Sequence, residues 1–368
     1  MFTEQQMAIF STKLARAMVR EKAQADAEAV KNTIGFKPTE FKPTIEAKRM
    51  NELFVHCDES FNAKAQIKTN NWGALGHIAV PPVIENYFFR RELTADVVRH
   101  LKAAPKYGLF LTGKKGTGKT SLVEQIAARL GIPVYAETGS PSTEYLDLFG
   151  TVLPTVSGKV KFFGGKLYQA MKEGGIFLLD EVDMMMPSEL VKMNELFSGK
   201  RLFIPQTEEW ILPHKDFRIV VTANTNGSGC DGNYVGANVL NEAFMDRFYI
   251  VEVEYMREEH EIAFVDQIIS DFETANKLSA SKEFQKRLPE LKAMSAEMVQ
   301  VARLIRQAAE ESQGTVLSLR GLDRWMTLYL YGKDVYQALD MAYANTLDEA
   351  TREATHEIAR VSLSMILD

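Results

Sequence analysis

Gly113-Lys114-Lys115-Gly116-Thr117-Gly118-Lys119-Thr120 is the stretch that decides the fold. It fits the spacing G-x-x-x-x-G-K-[ST]. The run before it, Tyr107-Gly108-Leu109-Phe110-Leu111-Thr112, reads as a buried strand. The run after it, Ser121 to Leu130, has helical spacing and stops at Gly131 and Pro133. Strand, glycine loop and helix in that order are the context the motif requires, and a glycine-rich turn with a chance lysine would lack it. The glycines let the backbone curl so that its N–H groups face a phosphate chain. The helix N-terminus adds its partial positive charge. Lys119 is expected to reach the β/γ-phosphates of ATP, and the Thr120 hydroxyl to sit on Mg²⁺.

Downstream, Ile176-Phe177-Leu178-Leu179-Asp180-Glu181 is an apolar strand running into two acids. Beside a phosphate loop this predicts the second half of an ATPase site. Asp180 is placed to hold the Mg²⁺ shell and Glu181 to polarise the attacking water. Asp183 follows as a further acid. Arg218 to Asn224 is another buried strand with an amide at its end, suited to orienting that water. Asn241 to Phe248 precedes a strand over Tyr249–Val253. From Arg257 the pattern is helical to the end, and Ser318-Leu319-Arg320-Gly321-Leu322 puts an arginine in a first helical turn.

Two stretches read as hairpins. One covers 150–166, where Gly150, Pro154, Gly158, Gly164 and Gly165 punctuate Val152, Val160, Phe162 and Phe163. Its phenylalanines, beside Lys159, Lys161 and Lys166, either grip something or pack onto the core. The other covers 200–213. Between the loop helix and the first hairpin, Ser142 to Phe149 fits a short helix capped by Ser142 or Thr143. Upstream, residues 4–33 and 45–68 have helical patterns, and the Lys-Pro-Thr repeat at 37–44 forbids a helix between them.

The net charge of −6 does not advertise a nucleic-acid or anionic-membrane binder. Residues 251–368 hold 13 Lys/Arg against 21 Asp/Glu, a poor nucleic-acid surface. Cys57 and Cys230 make no disulfide framework, and His56 beside Cys57 has no second ligand pair at zinc spacing. The N-terminus lacks a signal-peptide pattern and no apolar run reaches the ~20 residues of a membrane span, so a cytoplasmic protein is expected.

These pieces in this order resemble an AAA+ ATPase over residues 80 to about 335. The finer resemblance is to the MoxR group, and within it to CobS-like cobaltochelatase ATPase subunits. It rests on Gly174 to Glu181, His214 to Arg218, Thr222 to Gly227 and Met245 to Phe248. The resemblance implies an α/β fold: a P-loop core with a parallel sheet, β-hairpin inserts and a C-terminal α-helical lid. It implies an N-terminal arm and linker over 1–75, a core over 76–254 and a lid over 255–368. Gly113, Lys114, Lys115, Gly116, Thr117, Gly118, Lys119, Thr120, Ser121 and Asp180 would bind nucleotide, with Thr120 and Asp180 also on Mg²⁺. Glu181, Asn224, Arg247 and Arg320 would be catalytic, Arg247 as a finger offered to the neighbouring subunit. The family further implies a homo-oligomeric ring, commonly a hexamer, and a partner with a von Willebrand factor A domain. The activity expected is ATP-driven remodelling of, or metal insertion into, that partner. The alternative is a ring motor on nucleic acid; a small-molecule kinase would not need the inserts, and a non-hydrolysing scaffold would not need both Asp180 and Glu181.

Overall fold

Ile45–Arg49 (β1) pairs antiparallel with Gln66–Asn70 (β2), Ile45 opposite Asn70 and Arg49 opposite Gln66. The computed structural model that shows this describes residues 44–73, 76–103, 106–154, 160–229, 236–278, 282–312 and 314–367. The expected helix over 4–33, most of the Lys-Pro-Thr repeat, Lys159 and Cys230 lie outside them. The helical reading of 45–68 is corrected here: between the strands only Met50–Leu53 (α1) is helical. Along β2 burial alternates, Ile67 and Thr69 inward and Gln66 and Lys68 outward, the period of a strand. Phe54 then packs on Phe61 and Phe89, their ring centroids 5.6 and 4.9 Å from its own. The β1–β2 pair lies against the end of the helix that follows the glycine loop, because a Cβ on Gly131 would run into the Asn70 carbonyl.

Arg91–Lys102 (α2) leads to Gly108–Thr112 (β3), and Lys119–Leu130 (α3) follows the glycine loop. Val134–Thr138 (β4) and Tyr145–Phe149 (α4) come next. The cap of α4 is Glu144, in a capping box with Asp147, rather than Ser142 or Thr143. Gly150–Pro154 (β5) and Val160–Gly164 (β6) form the expected hairpin, Gly150 opposite Gly164. Lys166–Glu173 (α5), Gly175–Asp180 (β7) and Pro187–Lys192 (α6) follow. Leu202–Ile204 (β8) and Glu209–Ile211 (β9) make the second hairpin. Phe217–Ala223 (β10), Glu242–Met245 (α7) and Phe248–Glu252 (β11) complete the core.

The central sheet has the order β11-β3-β10-β7-β4, every neighbouring pair parallel. Its inner strands are buried on both faces, which is why they read as unbroken apolar runs. Alternation divides them between two clusters. Leu109, Leu111, Leu178 and Val220 pack with Val123 and Ile126 of α3. Phe110, Phe177, Leu179 and Val221 pack with Phe149 and Met171 on the other side. All these strands run the same way, so their C-terminal ends, and the loops that follow, gather along one edge of the sheet.

The C-terminal helices are Glu258–Ala275 (α8), Lys282–Ser312 (α9), Leu319–Leu330 (α10), Val335–Ala342 (α11) and Glu349–Leu367 (α12). They have an apolar cluster of their own, with Val265, Met298, Trp325 and Leu339 at its centre. No described helix is long and apolar enough to cross a membrane.

Candidate ATPase site

The chain leaves β3 through three glycines with positive φ, Gly113 at 146°, Gly116 at 80° and Gly118 at 87°. A side chain at Gly113 would strike the Val253 carbonyl oxygen. Gly118 caps α3, so Lys119 and Thr120 are its first two residues and Ser121 its third. Thr117 ties the loop to itself, its hydroxyl donating to the Lys114 carbonyl at 3.0 Å. Lys119 is 7% exposed. Its Nζ donates to Gly113 O at 2.6 Å, Lys114 O at 3.0 Å and Asn224 Oδ1 at 3.1 Å. Burial pulls this ammonium down to about 8, against the attraction of Asp180, Asp183 and Glu181, and Arg320 adds to the lowering.

Strand β7 ends at Asp180, whose carboxylate accepts the Thr120 hydroxyl at 2.9 and 3.0 Å. Asp180 also accepts a hydrogen bond from the hydroxyl of Thr222, on the adjacent strand β10. Glu181 follows in the left-handed region at φ 53°. For a residue other than glycine that conformation costs on the order of 1–3 kcal/mol, so its surroundings must hold it. Its N–H donates to Thr222 Oγ1 at 3.3 Å, and its carbonyl accepts Met184 N–H at 3.0 Å.

Asn224 follows β10, and Thr225 is tied to the loop strand, its carbonyl accepting the Thr112 hydroxyl at 2.8 Å. Arg320 lies in the first turn of α10, whose cap Ser318 accepts Gly321 N–H at 3.2 Å. The helical region also touches the glycine loop directly. Lys114 forms an ion pair with Glu310 of α9. The Tyr255 hydroxyl donates to Lys115 O at 2.8 Å. Gly116 faces Ser318 so closely that a Cβ would strike it.

The structure therefore brings together the glycine loop, Asp180, Glu181, Asn224 and Arg320. It does not bring Arg247 to them. Phe248 stands opposite Gly108 and Glu252 opposite Thr112. At ~3.3 Å per residue the Arg247 backbone is about 20 Å from Gly113, at the other end of the sheet. Among the described residues Arg247 forms no ion pair, with Asp246, Glu242 or any other acid, and its Nε is buried without a hydrogen-bond partner. Thr222 and Asp183 touch these residues, and the sequence reading named them without assigning them a role. The available signal was spacing: Thr222 and Asn224 stand two apart, the period at which side chains of an extended chain share a face.

Thr120 and Asp180 offer a hydroxyl and a carboxylate within 3.0 Å of each other. That is a fit for Mg²⁺, which takes one or two protein oxygens and completes its shell with phosphate and water. Among the described residues no group of three or more His, Cys, Asp or Glu could hold a metal alone.

Residues 108–248 match the AAA domain of the dynein-related subfamily. Midasin of Giardia intestinalis is 33% identical over 151 residues, 40% of this chain but only 3% of that protein. Aerobic cobaltochelatase subunit CobS of Sinorhizobium sp is 30% identical over 290 residues, covering 77% of this chain and 82% of CobS. A putative ATPase from Cytophaga hutchinsonii, a solved structure, covers 73% of this chain and 88% of its own at 15% identity and a TM-score of 0.37. The match to CobS runs through most of both chains and the AAA domain lies inside it: the chain belongs to the CobS family of AAA+ ATPases.

Proposed function

We propose that this chain forms a ring, commonly of six subunits in such ATPases, and spends ATP hydrolysis on remodelling a partner protein or inserting a metal into it. The observation that carries the reading is the buried Lys119 ammonium, 3.1 Å from Asn224 Oδ1 and under the attraction of Asp180 and Glu181. Lys119 binds the β/γ-phosphates, and the loop N–H groups from Gly113 to Ser121 bind the rest of the phosphate chain. Thr120 and Asp180 would hold Mg²⁺, which would supply positive charge to offset that of the phosphate chain. Glu181 takes the proton of the attacking water, and Asn224 orients that water. Arg320 reaches the phosphates from the lid, and Arg247 serves the neighbouring subunit's site.

The metal-insertion arm of this reading draws on the name of the relative CobS, an aerobic cobaltochelatase subunit. A partner with a von Willebrand factor A domain and a cytoplasmic location belong to the same reading. We divide the chain into a core through residue 254 and a lid from 255, supported by the separate apolar cluster of the C-terminal helices. We end the arm at Thr44 rather than 75, because Phe54, Phe61 and Ile67 share a cluster with Val123.

Glu181→Gln keeps size but removes the base. It should bind ATP, turn over very slowly, and retain both the ring and its client. Lys119→Ala should lose ATP affinity, because the charge that pairs with phosphate is gone. Wild-type turnover in the first variant, or unchanged calorimetric affinity in the second, would remove that residue from the site. Mass measurement with ATP reads the ring, and proteins retained by Glu181→Gln identify the client.

A further inference from the structure

Thr222 is 1% exposed, in the middle strand of the sheet, one position beyond the Val221–Leu179 pairing. Its hydroxyl meets two groups that belong to consecutive residues of β7 and the turn after it. One is the Asp180 carboxylate, an acceptor only when ionised. The other is the Glu181 backbone N–H, a donor only, 3.3 Å away. A hydroxyl has one proton and two lone pairs, so the polarity is forced: the proton goes to Asp180 and a lone pair receives Glu181.

We propose that Thr222 is the positioning residue for the Asp180–Glu181 pair, fixing the rotation of one carboxylate and the backbone of the other residue through a single hydroxyl. This rests on the roles proposed above for those two acids. With Thr222 on Asp180 Oδ1, the carboxylate also meets the Thr120 hydroxyl at 2.9 Å through Oδ2. Glu181, at φ 53°, is gripped at its N–H by Thr222 and at its carbonyl by Met184. Gly139 abuts the same turn, its N–H donating to Asp180 O at 2.7 Å. Asn224 stands two positions further on and holds Lys119. Thr222 on β10 thus sets the acids, and Asn224, just past the end of that strand, sets the lysine.

The test uses the full chain with Thr222→Val, Thr222→Ser and Glu181→Gln in parallel. Valine keeps the shape and removes the hydroxyl; serine keeps the hydroxyl. Partners that orient metal ligands are worth roughly 10–100-fold in affinity or activity. Thr222→Val should lose kcat by about that factor, with KM for ATP changed far less. Calorimetry should show that Mg²⁺ strengthens its ATP binding less than in the wild type. Thr222→Ser should restore most of both, and both variants should melt as cooperative folded proteins. Wild-type kcat and wild-type Mg²⁺ linkage in Thr222→Val, beside an inactive Glu181→Gln, would overturn the role of Thr222 alone. Equal losses in valine and serine would overturn it too, since packing would then be the cause. Wild-type turnover in Glu181→Gln would overturn the assignment of the acids and the positioning role with it.

Discussion

Asp183 holds Asn224 by its backbone. Asp183 Oδ2 accepts the N–H groups of Asn224 and Thr225 and the Thr225 hydroxyl, each at 3.0 Å. The residue is 1% exposed, and its other carboxylate oxygen is buried without a hydrogen-bond partner. Removing the acceptor leaves three buried donors unmet, each worth about 1–3 kcal/mol but not additively. Asp183→Ala should therefore lose roughly 3–5 kcal/mol of stability. Asp183→Asn retains one acceptor oxygen and should lose clearly less. Denaturant midpoints for the two variants decide; no shift in Asp183→Ala would mean the loop after β10 is held by something else.

The strand, loop and helix around Lys119 were legible because each depends on local chemistry. Leu109 to Leu111 are buried on both faces, and the Gly113 backbone admits no side chain. The strands β1 and β2 were not legible. All of β1 is exposed and only Ile67 and Thr69 of β2 are buried, so charged positions outweighed the period of two. Thr222 looked like an ordinary strand former, since its partners lie 41 and 42 positions away and no local pattern announces them. The distance of Arg247 from its own pocket also needed the register, because sequence order does not say at which end of the sheet a residue stands.

His100, on α2, is 6% exposed, with neither ring nitrogen hydrogen-bonded. Burial, assisted by the Arg218 guanidinium, lowers its pKa from 6.5 to about 4. Below pH 6.5 the unfolded chain takes up a proton that the folded chain refuses until about pH 4. Stability is therefore unaffected by this group above that window, falls through it on acidification, and levels off beneath it. At about 1.4 kcal/mol per unit the loss approaches roughly 3 kcal/mol. Unfolding midpoints of wild type and His100→Phe should diverge between pH 7.5 and 4.5, the wild type falling more steeply. Parallel curves would show that His100 gains its proton as readily folded as unfolded.

The two phenylalanines of the first hairpin have different surroundings. Phe162 is half-buried against Tyr168, ring centroids 5.1 Å apart. Phe163 is 44% exposed, with Lys161 Nζ 5.5 Å from its ring centroid. Phe162→Ala should cost about 1–2 kcal/mol, below the 3–5 of a fully buried ring. Phe163→Ala should stay within about 0.5 kcal/mol, as exposed substitutions do. If Phe163 grips the client, Phe163→Ala in the Glu181→Gln background should keep ATP bound and lose the retained protein. A melting temperature as low as that of Phe162→Ala would make Phe163 a packing residue.

Arg247 stands about 20 Å along the sheet from its own glycine loop, beyond the reach of one side chain. Its Nε is buried and unpaired, and no ion pair of the described residues includes its guanidinium. A surface ion pair would have explained it with a role worth only about 0–1 kcal/mol. An arginine supplied to a neighbour's transferring phosphate is worth on the order of 10³–10⁵ in rate. Arg247→Ala alone should bind ATP and scarcely hydrolyse it, and Lys119→Ala alone should not bind it. In mixed rings an Arg247→Ala subunit keeps an intact pocket and a neighbouring Lys119→Ala subunit keeps an intact arginine. Activity should then partly return, highest near equal amounts. If mass measurement shows that mixed rings form and no ratio restores hydrolysis, Arg247 does not act across the subunit boundary.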